Sequence, residues 1–332
     1  MNIVAHILSI HVGKFFKPFT LAAVLCFSTT AHALYPSGPI KLIVPFPAGG
    51  PTDIISRLIA SKLSFELAQP VYVENKAGAH GAIGLQSSLM QPSDGQTIAM
   101  VSIGTHGINP VLYSKLAYDA NKDFIPISLL VTVPIVVVAR VDAPFNDLGE
   151  LIRYAKQHPG KLSFASAGSG GSSHLVPEMF KQLAGIDIVH VPYKGIAPAM
   201  TDLLSGQVNL MFDSLITSTQ QVASGKLKII ATTSAKRLVA YPQVPTVAES
   251  GFEGFEAQSW YGIVVKSGTA PQVVNVLTGA FQKIMRDPEV IEKLTKINTN
   301  AIGSTSQEFA HFMKQEQAKW DRVITQGHIQ AE

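Results

Sequence analysis

The sequence predicts an α/β protein of two lobes with a cleft between them. Its 332 residues, 46% hydrophobic and 15% charged, suffice for one large core or two lobes of ordinary domain size. From Ile40 onward, short β-type runs alternate with amphipathic helical stretches, the pattern of a sheet with helices on its faces. The run 124–139 is apolar apart from Ser128 and Thr132, with Pro134 interrupting it. A β run of that length suits a strand crossing between lobes.

Taken in order, residues 40–46 read as a strand, 47–53 as a loop and 54–67 as a helix; 71–74 is a second strand. The glycine-rich 78–84 leads into a helix ending at the Pro92-Ser93-Asp94-Gly95 turn, and a third strand, 97–102, delivers the chain into the polar loop 104–110. Beyond the crossing strand come helix 148–157, strand 162–165, loop 166–173, helix 174–183, strand 188–191, loop 192–195, helix 197–205 and strand 210–212. Strand 227–232 and the turn-rich 241–254 close this set. A returning strand, 260–265, and helices 271–285, 288–297 and 306–323 finish the chain. The expected division is 34–136 with 256–332 in lobe 1 and 137–255 in lobe 2, with two crossings between them.

Residues 1–33 read as a removable export signal: Lys14 and Lys17, an apolar run over 19–27, then Ala31-His32-Ala33 as a small-x-small cleavage site. That run is too short to span a bilayer, and no later stretch offers about 20 uninterrupted apolar residues. The single cysteine, Cys26, follows the bulky Leu25, where a lipoprotein signal needs a small residue, so no lipid anchor is expected. The mature chain would start near Leu34 without cysteine, which excludes disulfides, thiolate metal sites and cysteine nucleophiles.

The whole chain carries 26 basic and 23 acidic side chains, a net +3; without Lys14 and Lys17 the balance is 24 against 23, or +1. A nearly neutral surface has no electrostatic drive toward nucleic acid, whose binding depends on neutralising several phosphates.

Three loops, 47–53, 104–110 and 166–173, each follow a strand and precede a helix. In an open parallel sheet that is the ligand crevice. Their glycines expose backbone N–H groups, Thr52, Asp53, Ser172 and Ser173 can cap or donate, and the helix amino termini add partial positive charge. An anion is the natural guest, and two such sites on opposing lobes would suit a small molecule with a carboxylate at each end. Asp53 either shapes its turn or meets the ligand. Asp213 either faces the cleft, accepting from an amino or hydroxyl group, or caps a helix. His106 and His174 read as loop or helix-start hydrogen-bonders, Tyr193 as an aromatic wall and Lys194 as solvated.

Enzyme signatures are poor. Ala167-Gly168-Ser169-Gly170-Gly171 lacks the spacing of a nucleophile elbow and no Lys-Ser/Thr pair follows it. The Gly49-Gly50 loop is not Gly-x-Gly-x-x-Gly, no His-Glu-x-x-His occurs, and the histidines are not clustered at metal-ligand spacing. A hydrolase built on Ser172, His174 and Asp213 is the alternative from another class, though Ser172 and His174 stand only two apart.

The chain resembles the Bug, or TctC-like, family of periplasmic solute-binding receptors associated with tripartite tricarboxylate transport. The resemblance covers nearly all of the mature chain. It rests on Pro45-Phe46-Pro47-Ala48-Gly49-Gly50-Pro51-Thr52-Asp53, Val73-Glu74-Asn75-Lys76-Ala77-Gly78-Ala79, Pro92-Ser93-Asp94-Gly95, Asn109-Pro110 with Leu112-Tyr113, and Lys122-Asp123-Phe124. Farther on it includes His190-Val191-Pro192-Tyr193-Lys194-Gly195, Met211-Phe212-Asp213 and Pro245-Thr246-Val247-Ala248-Glu249. The resemblance implies a two-lobed periplasmic-binding-protein (Venus flytrap) fold, type II-like, that closes on a small carboxylate or amino-acid-like solute. It also implies a tripartite tricarboxylate-type permease as a possible partner, or a membrane signalling partner if the receptor serves as a sensor. With the crevice loops read above, the expected ligand-binding set is Phe46, Ala48, Gly49, Gly50, Thr52, Asp53, Thr105, His106, Ser166, Ser169, Ser172, Ser173, His174, Tyr193 and Asp213. No catalytic residue, metal or cofactor is expected, and the chain is expected to be a monomer. Gly170-Gly171-Ser172 replaces the family's more usual polar residue between glycine and the serines, at the far end of the ligand.

Overall fold

The computed structural model describes residues 35–330. The expected export signal lies outside them. Three strands, β1 (Ile40–Val44), β2 (Val71–Asn75) and β3 (Thr97–Ser102), lie parallel with β1 in the middle. Each is followed by a turn and a helix: α1 (Pro51–Glu66), α2 (Ala82–Leu89) and the short α3 (Asn109–Leu112). The second set mirrors this. Strand β5 (Ser163–Ser166) pairs in parallel with both β6 (Val189–Pro192) and β7 (Leu210–Ser214), and helices α5 (Ser172–Ala184), α6 (Ile196–Ser205) and α7 (Leu215–Ala223) follow β5, β6 and β7. Helix α4 (Leu148–Gln157) precedes β5.

The long β4 (Phe124–Arg140) joins the two sets. From Phe124 to Pro134 it runs antiparallel to β9 (Gln258–Lys266), which in turn pairs with β3. From Ile135 onward it pairs instead with β7 and with β8 (Leu227–Thr232). Its register with β9 shifts between Pro126 and Ser128 and between Leu129 and Val131, irregularities that bend a strand and increase its twist. The prolines are tolerated because a strand at such a bend need not donate from every residue. A short β10 (Asn300–Ala301) pairs with β4 at Thr132 and Val131, giving the main path β2-β1-β3-β9-β4-β7-β5-β6.

Ile40, Leu42, Ile55, Ile59 and Leu63 form a core with Leu277 and Phe281 of α8 (Pro271–Met285), completed by Leu294 of α9 (Pro288–Lys296). Val136, Val138, Leu203, Met211 and Leu215 form a smaller one around β4, β7, α6 and α7. A third cluster runs through both sets, from Val101 and Phe124 to Phe164 and Phe180, and takes in Trp320 of α10 (Ser306–Gln326). Helix α10 starts at a reciprocal cap between Thr305 and Glu308. On its inner face lies a buried carboxylate, Glu316. Its Oε2 accepts from the indole N–H groups of Trp260 (2.9 Å) and Trp320 (3.2 Å), and Lys319 pairs with Oε1. At Gly262 a side chain would lie 2.3 Å from Phe309, so glycine lets α10 approach β9.

Helix α7 is missing from the sequence reading because Leu215–Ala223 is rich in Ser, Thr and Gln and propensity there is weak. The Ser214 side chain caps it by accepting from Ile216 N–H, and its inner residues pack under β7. The expected open loop 104–110 is instead a wide helical turn over Ile103–Ile108 running into α3.

Candidate functional site

A cleft of about 680 Å³ opens where the turns after β1, β3, β5, β6 and β7 meet beside β4 and β9. Its size is that of a small-molecule site. Three helices present their amino termini to it: α1 through Gly50, Pro51 and Thr52, α5 through Gly171, Ser172 and Ser173, and α6 through Gly195, Ile196 and Ala197. Each has glycine at the N-cap position and no side-chain cap, whereas α4, α7, α9 and α10 are capped by Asp147, Ser214, Asp287 and Thr305. The first N–H groups of a helix have no partner within it. At these three ends no side chain takes them, and the positive end of the helix dipole faces the cleft.

Phe46, Ala48, Gly49, Gly50, Thr52, Ser169, Ser172, Ser173 and Asp213 line the cleft. Asp53 lies one layer beneath. Its Oδ2 accepts from Gly49 N–H and Arg57 Nε, each at 2.9 Å, and Oδ1 accepts from Asn75 Nδ2 at 2.9 Å. Burial alone would raise its pKa, but the bonds from Arg57, Gly49 and Asn75 outweigh it and hold the carboxyl below its usual range. Asn75 Nδ2 also donates to Phe46 O, so this pair fixes the 46–50 turn from below.

Thr105 and His106 are fully buried and do not line the cleft, contrary to expectation. The tight turn after β3 directs them inward. Ser102 N–H donates to Thr105 Oγ1 and Thr105 N–H returns to Ser102 Oγ, while His106 packs against Tyr118 and Phe124. Burial pushes the His106 pKa down to about 3, so its ring is neutral. What this turn shows the cleft is Ser102, Ile103 and Gly104.

Ser166 and His174 likewise support their loop from behind. Ser166 Oγ accepts from Gly168 N–H and hydrogen-bonds His190 Nε2 at 2.7 Å; His174 Nδ1 accepts from Gly170 N–H at 3.1 Å and its ring stacks on His190 with centroids 3.9 Å apart. Burial, reinforced by His190 and Lys181, pushes the His174 pKa down to about 3, which keeps Nδ1 an acceptor. Gly170 needs its positive φ of 81°, and a side chain there would lie 2.9 Å from Leu112 and from the Tyr113 hydroxyl. The loop of the second set therefore rests directly on the first.

Tyr193 is not a wall of the cleft. Its hydroxyl donates to Asp202 Oδ2 at 2.7 Å, tying β6 to α6, and burial followed by Asp202 pushes its pKa up to about 12. Lys194, expected as a solvated residue at the cleft, lines it while remaining exposed. Sequence reasoning missed Ser259 and Tyr261. They alternate on the cleft face of β9, a period-2 signal that a returning strand offers once its role as a wall is known.

Asp213 reaches the cleft from the end of β7, but its Oδ2 accepts from the hydroxyls of Thr217 and Ser218, both at 2.6 Å. It thus does both things the sequence allowed: it lines the cleft and braces the first turn of α7. Burial raises its pKa despite those hydroxyls. A carboxyl raised in the folded state favours folding below its unfolded pKa, and that contribution is lost as pH rises through the folded value. Asp213→Asn, which keeps an acceptor oxygen for both hydroxyls, is expected to melt higher than the wild type at pH 8. The gap should close below pH ~4, where the wild-type carboxyl is protonated in both states. A gap that widens in acid would show Asp213 to be ionised and favourably so. Ser172, His174 and Asp213 form no relay: the Ser172 hydroxyl pairs with Ser259 at 3.4 Å, and the other two are engaged as described.

Two sheets sharing one long strand, with helix amino termini converging on the cleft between them, define a two-lobed solute-binding protein. Residues 55–329 match the model of the tripartite tricarboxylate transporter family receptor. The chain belongs to that family. Among solved structures it is similar to the periplasmic binding protein BugD, at 37% identity, a TM-score of 0.80, and coverage of 90% of this chain and 100% of that one. Two from Rhodopseudomonas palustris are also similar: Rpa4515 with adipate (32% identity, TM-score 0.83, 89% of this chain and 99% of that one) and MatC with bound malate (31%, 0.79, 87% and 100%). The family is one of periplasmic solute-binding receptors, and no helix among the described residues is long and apolar enough to cross a membrane.

Proposed function

We propose that this chain, exported and freed of residues 1–33, captures a small carboxylate in the periplasm and presents it to a membrane permease of the tripartite tricarboxylate type, without chemistry on the solute. The observation that carries this reading is the convergence of three helix amino termini without side-chain caps on one cleft. Adipate and malate, bound by two relatives, are both carboxylates, which supports it. In this reading Gly49, Gly50 and Thr52 hold the solute from lobe 1, and Ser169, Ser172 and Ser173 hold it from lobe 2. Asp53, Thr105, His106, Ser166, His174 and Tyr193 act from behind by fixing the turns.

We place the lobes at 34–136 with 256–332 and at 137–255. The change of β4 partners between Pro134 and Ile135 supports this boundary, as does the bond from Thr233 N–H to Ile135 O with Ala257 N–H to Thr233 O. A solute held first by one lobe gains contacts from the other on closure, which shifts the population toward the closed state.

The test is a thermal-shift screen of protein beginning at Leu34 against dicarboxylates, tricarboxylates, acidic amino acids and aromatic monoacids. A saturable, concentration-dependent rise in Tm is expected for one acid class. It should weaken about tenfold in Ser172→Ala. A ligand-free preparation that no acid stabilises would defeat the reading.

A further inference from the structure

Beyond its helix termini, much of the cleft wall is hydrocarbon. Its walls include Phe46, Ile103, Ile135, Ile196, Pro198 and Phe212. Several of its polar side chains hold the protein's own turns. Ser102 Oγ accepts from Thr105 N–H, Ser173 Oγ from Ala167 N–H and Ser214 Oγ from Ile216 N–H. Thr217 donates to Asp213, and the Asn109 amide donates to His80 O. The two charged side chains of the lining are also unsuited to it: Lys194 is exposed, and Asp213 is a buried acid already holding two hydroxyls.

A hydroxyl brought into such surroundings loses its water and finds few partners. A buried polar group without a hydrogen bond is costly, whereas a CH₂ or ring edge in the same place gains from leaving water. We infer that the solute is a carboxylic acid whose body is hydrocarbon, a methylene chain or an aromatic ring, and that the cleft discriminates against hydroxylated acids of the same carbon skeleton. This rests on the receptor reading above. It narrows the solute from carboxylates at large to those with an apolar body, and assigns that selectivity to Phe46 and Ile196.

Matched pairs that differ by one hydroxyl test it: succinate with malate, tricarballylate with citrate, phenylacetate with mandelate. Each Kd is measured by titration calorimetry on ligand-free protein. For every pair that binds, the acid lacking the hydroxyl should bind about tenfold or more tightly, the scale on which an apolar pocket resists an added hydroxyl. Phe46→Ser and Ile196→Ser, which place a hydroxyl in the wall, should bring that ratio toward one. If either fails to fold, the wild-type ratio decides alone.

A wild-type ratio of one or below, with acids still binding, overturns this inference and leaves the receptor reading standing. A wild-type preference unchanged in both folded variants overturns the assignment to these walls. If no acid of any pair binds, this inference falls, and the receptor reading falls with it only when the wider thermal-shift panel also gives no rise in Tm.

Discussion

Gly171→Asp is expected to weaken carboxylate binding roughly 100-fold while raising the melting temperature of the empty protein. Gly171 is the N-cap of α5, with φ −90° and ψ 175°, a conformation any residue adopts, and its nearest neighbour to an added Cβ is Gly168 O at 4.0 Å. An aspartate there can accept from the first N–H groups of the helix and complement its dipole, a gain of about 0.5–1 kcal/mol. The same carboxylate occupies the donors that the solute needs and repels its charge. Loss of two charge-assisted hydrogen bonds, at about 1.5 kcal/mol each, weakens binding roughly 100-fold. Gly171→Ala adds bulk without an acceptor and should bind within about threefold of wild type, a change of well under 1 kcal/mol. Calorimetric Kd values and thermal melts of the three proteins check both halves. If the aspartate variant melts higher yet binds normally, the anion does not sit on α5.

Glu316→Ala should destabilise the protein by about 4 kcal/mol, because it leaves two buried indole N–H groups without an acceptor and removes the partner of Lys319. The chain has two tryptophans, and both donate to this one carboxylate. Intrinsic fluorescence therefore reports the site directly. Glu316→Gln keeps one oxygen for the indoles but turns an amide toward the Lys319 ammonium, and should lose about half as much. Urea unfolding followed by fluorescence measures both. Equal loss in the two variants would mean that the ionic partner matters and the indole bonds do not. Since Trp260 adjoins Tyr261 on β9, a loosened Trp260 should also weaken ligand binding in Glu316→Ala well below its melting temperature.

Much of the fold was legible in the sequence because its signals are local. Residues 97–102, 148–157, 227–232 and 271–285 read as elements with the same bounds the structure shows, since apolar periodicity and flanking Pro, Asp and Gly mark them without reference to the rest of the chain. Loops 47–53 and 166–173 were recognisable as a crevice from strand-turn-helix order alone. Where glycine stands at the N-cap beside the cleft, first turns were harder to see: α1 begins at Pro51 and α5 at Ser172, ahead of the expected 54 and 174. That same missing cap is what fits these ends to an anion.

The α/β alternation, the crossing strand and the turns that meet at the cleft are written locally, because each follows from neighbours within a few residues. Tertiary structure alone decided which side chains of those turns face the solute. Asp53 shares a loop with Thr52, Ser166 shares one with Ser169 and Ser172, His174 follows that loop directly, and Thr105 and His106 sit in the turn after β3, yet all five turn inward to partners such as Asn75, Tyr118 and His190. Ser259 and Tyr261 became walls only when β9 was laid between β3 and β4. A buried polar group goes where a partner satisfies it, and those partners lie up to tens of residues away in sequence, brought within hydrogen-bond reach by the fold.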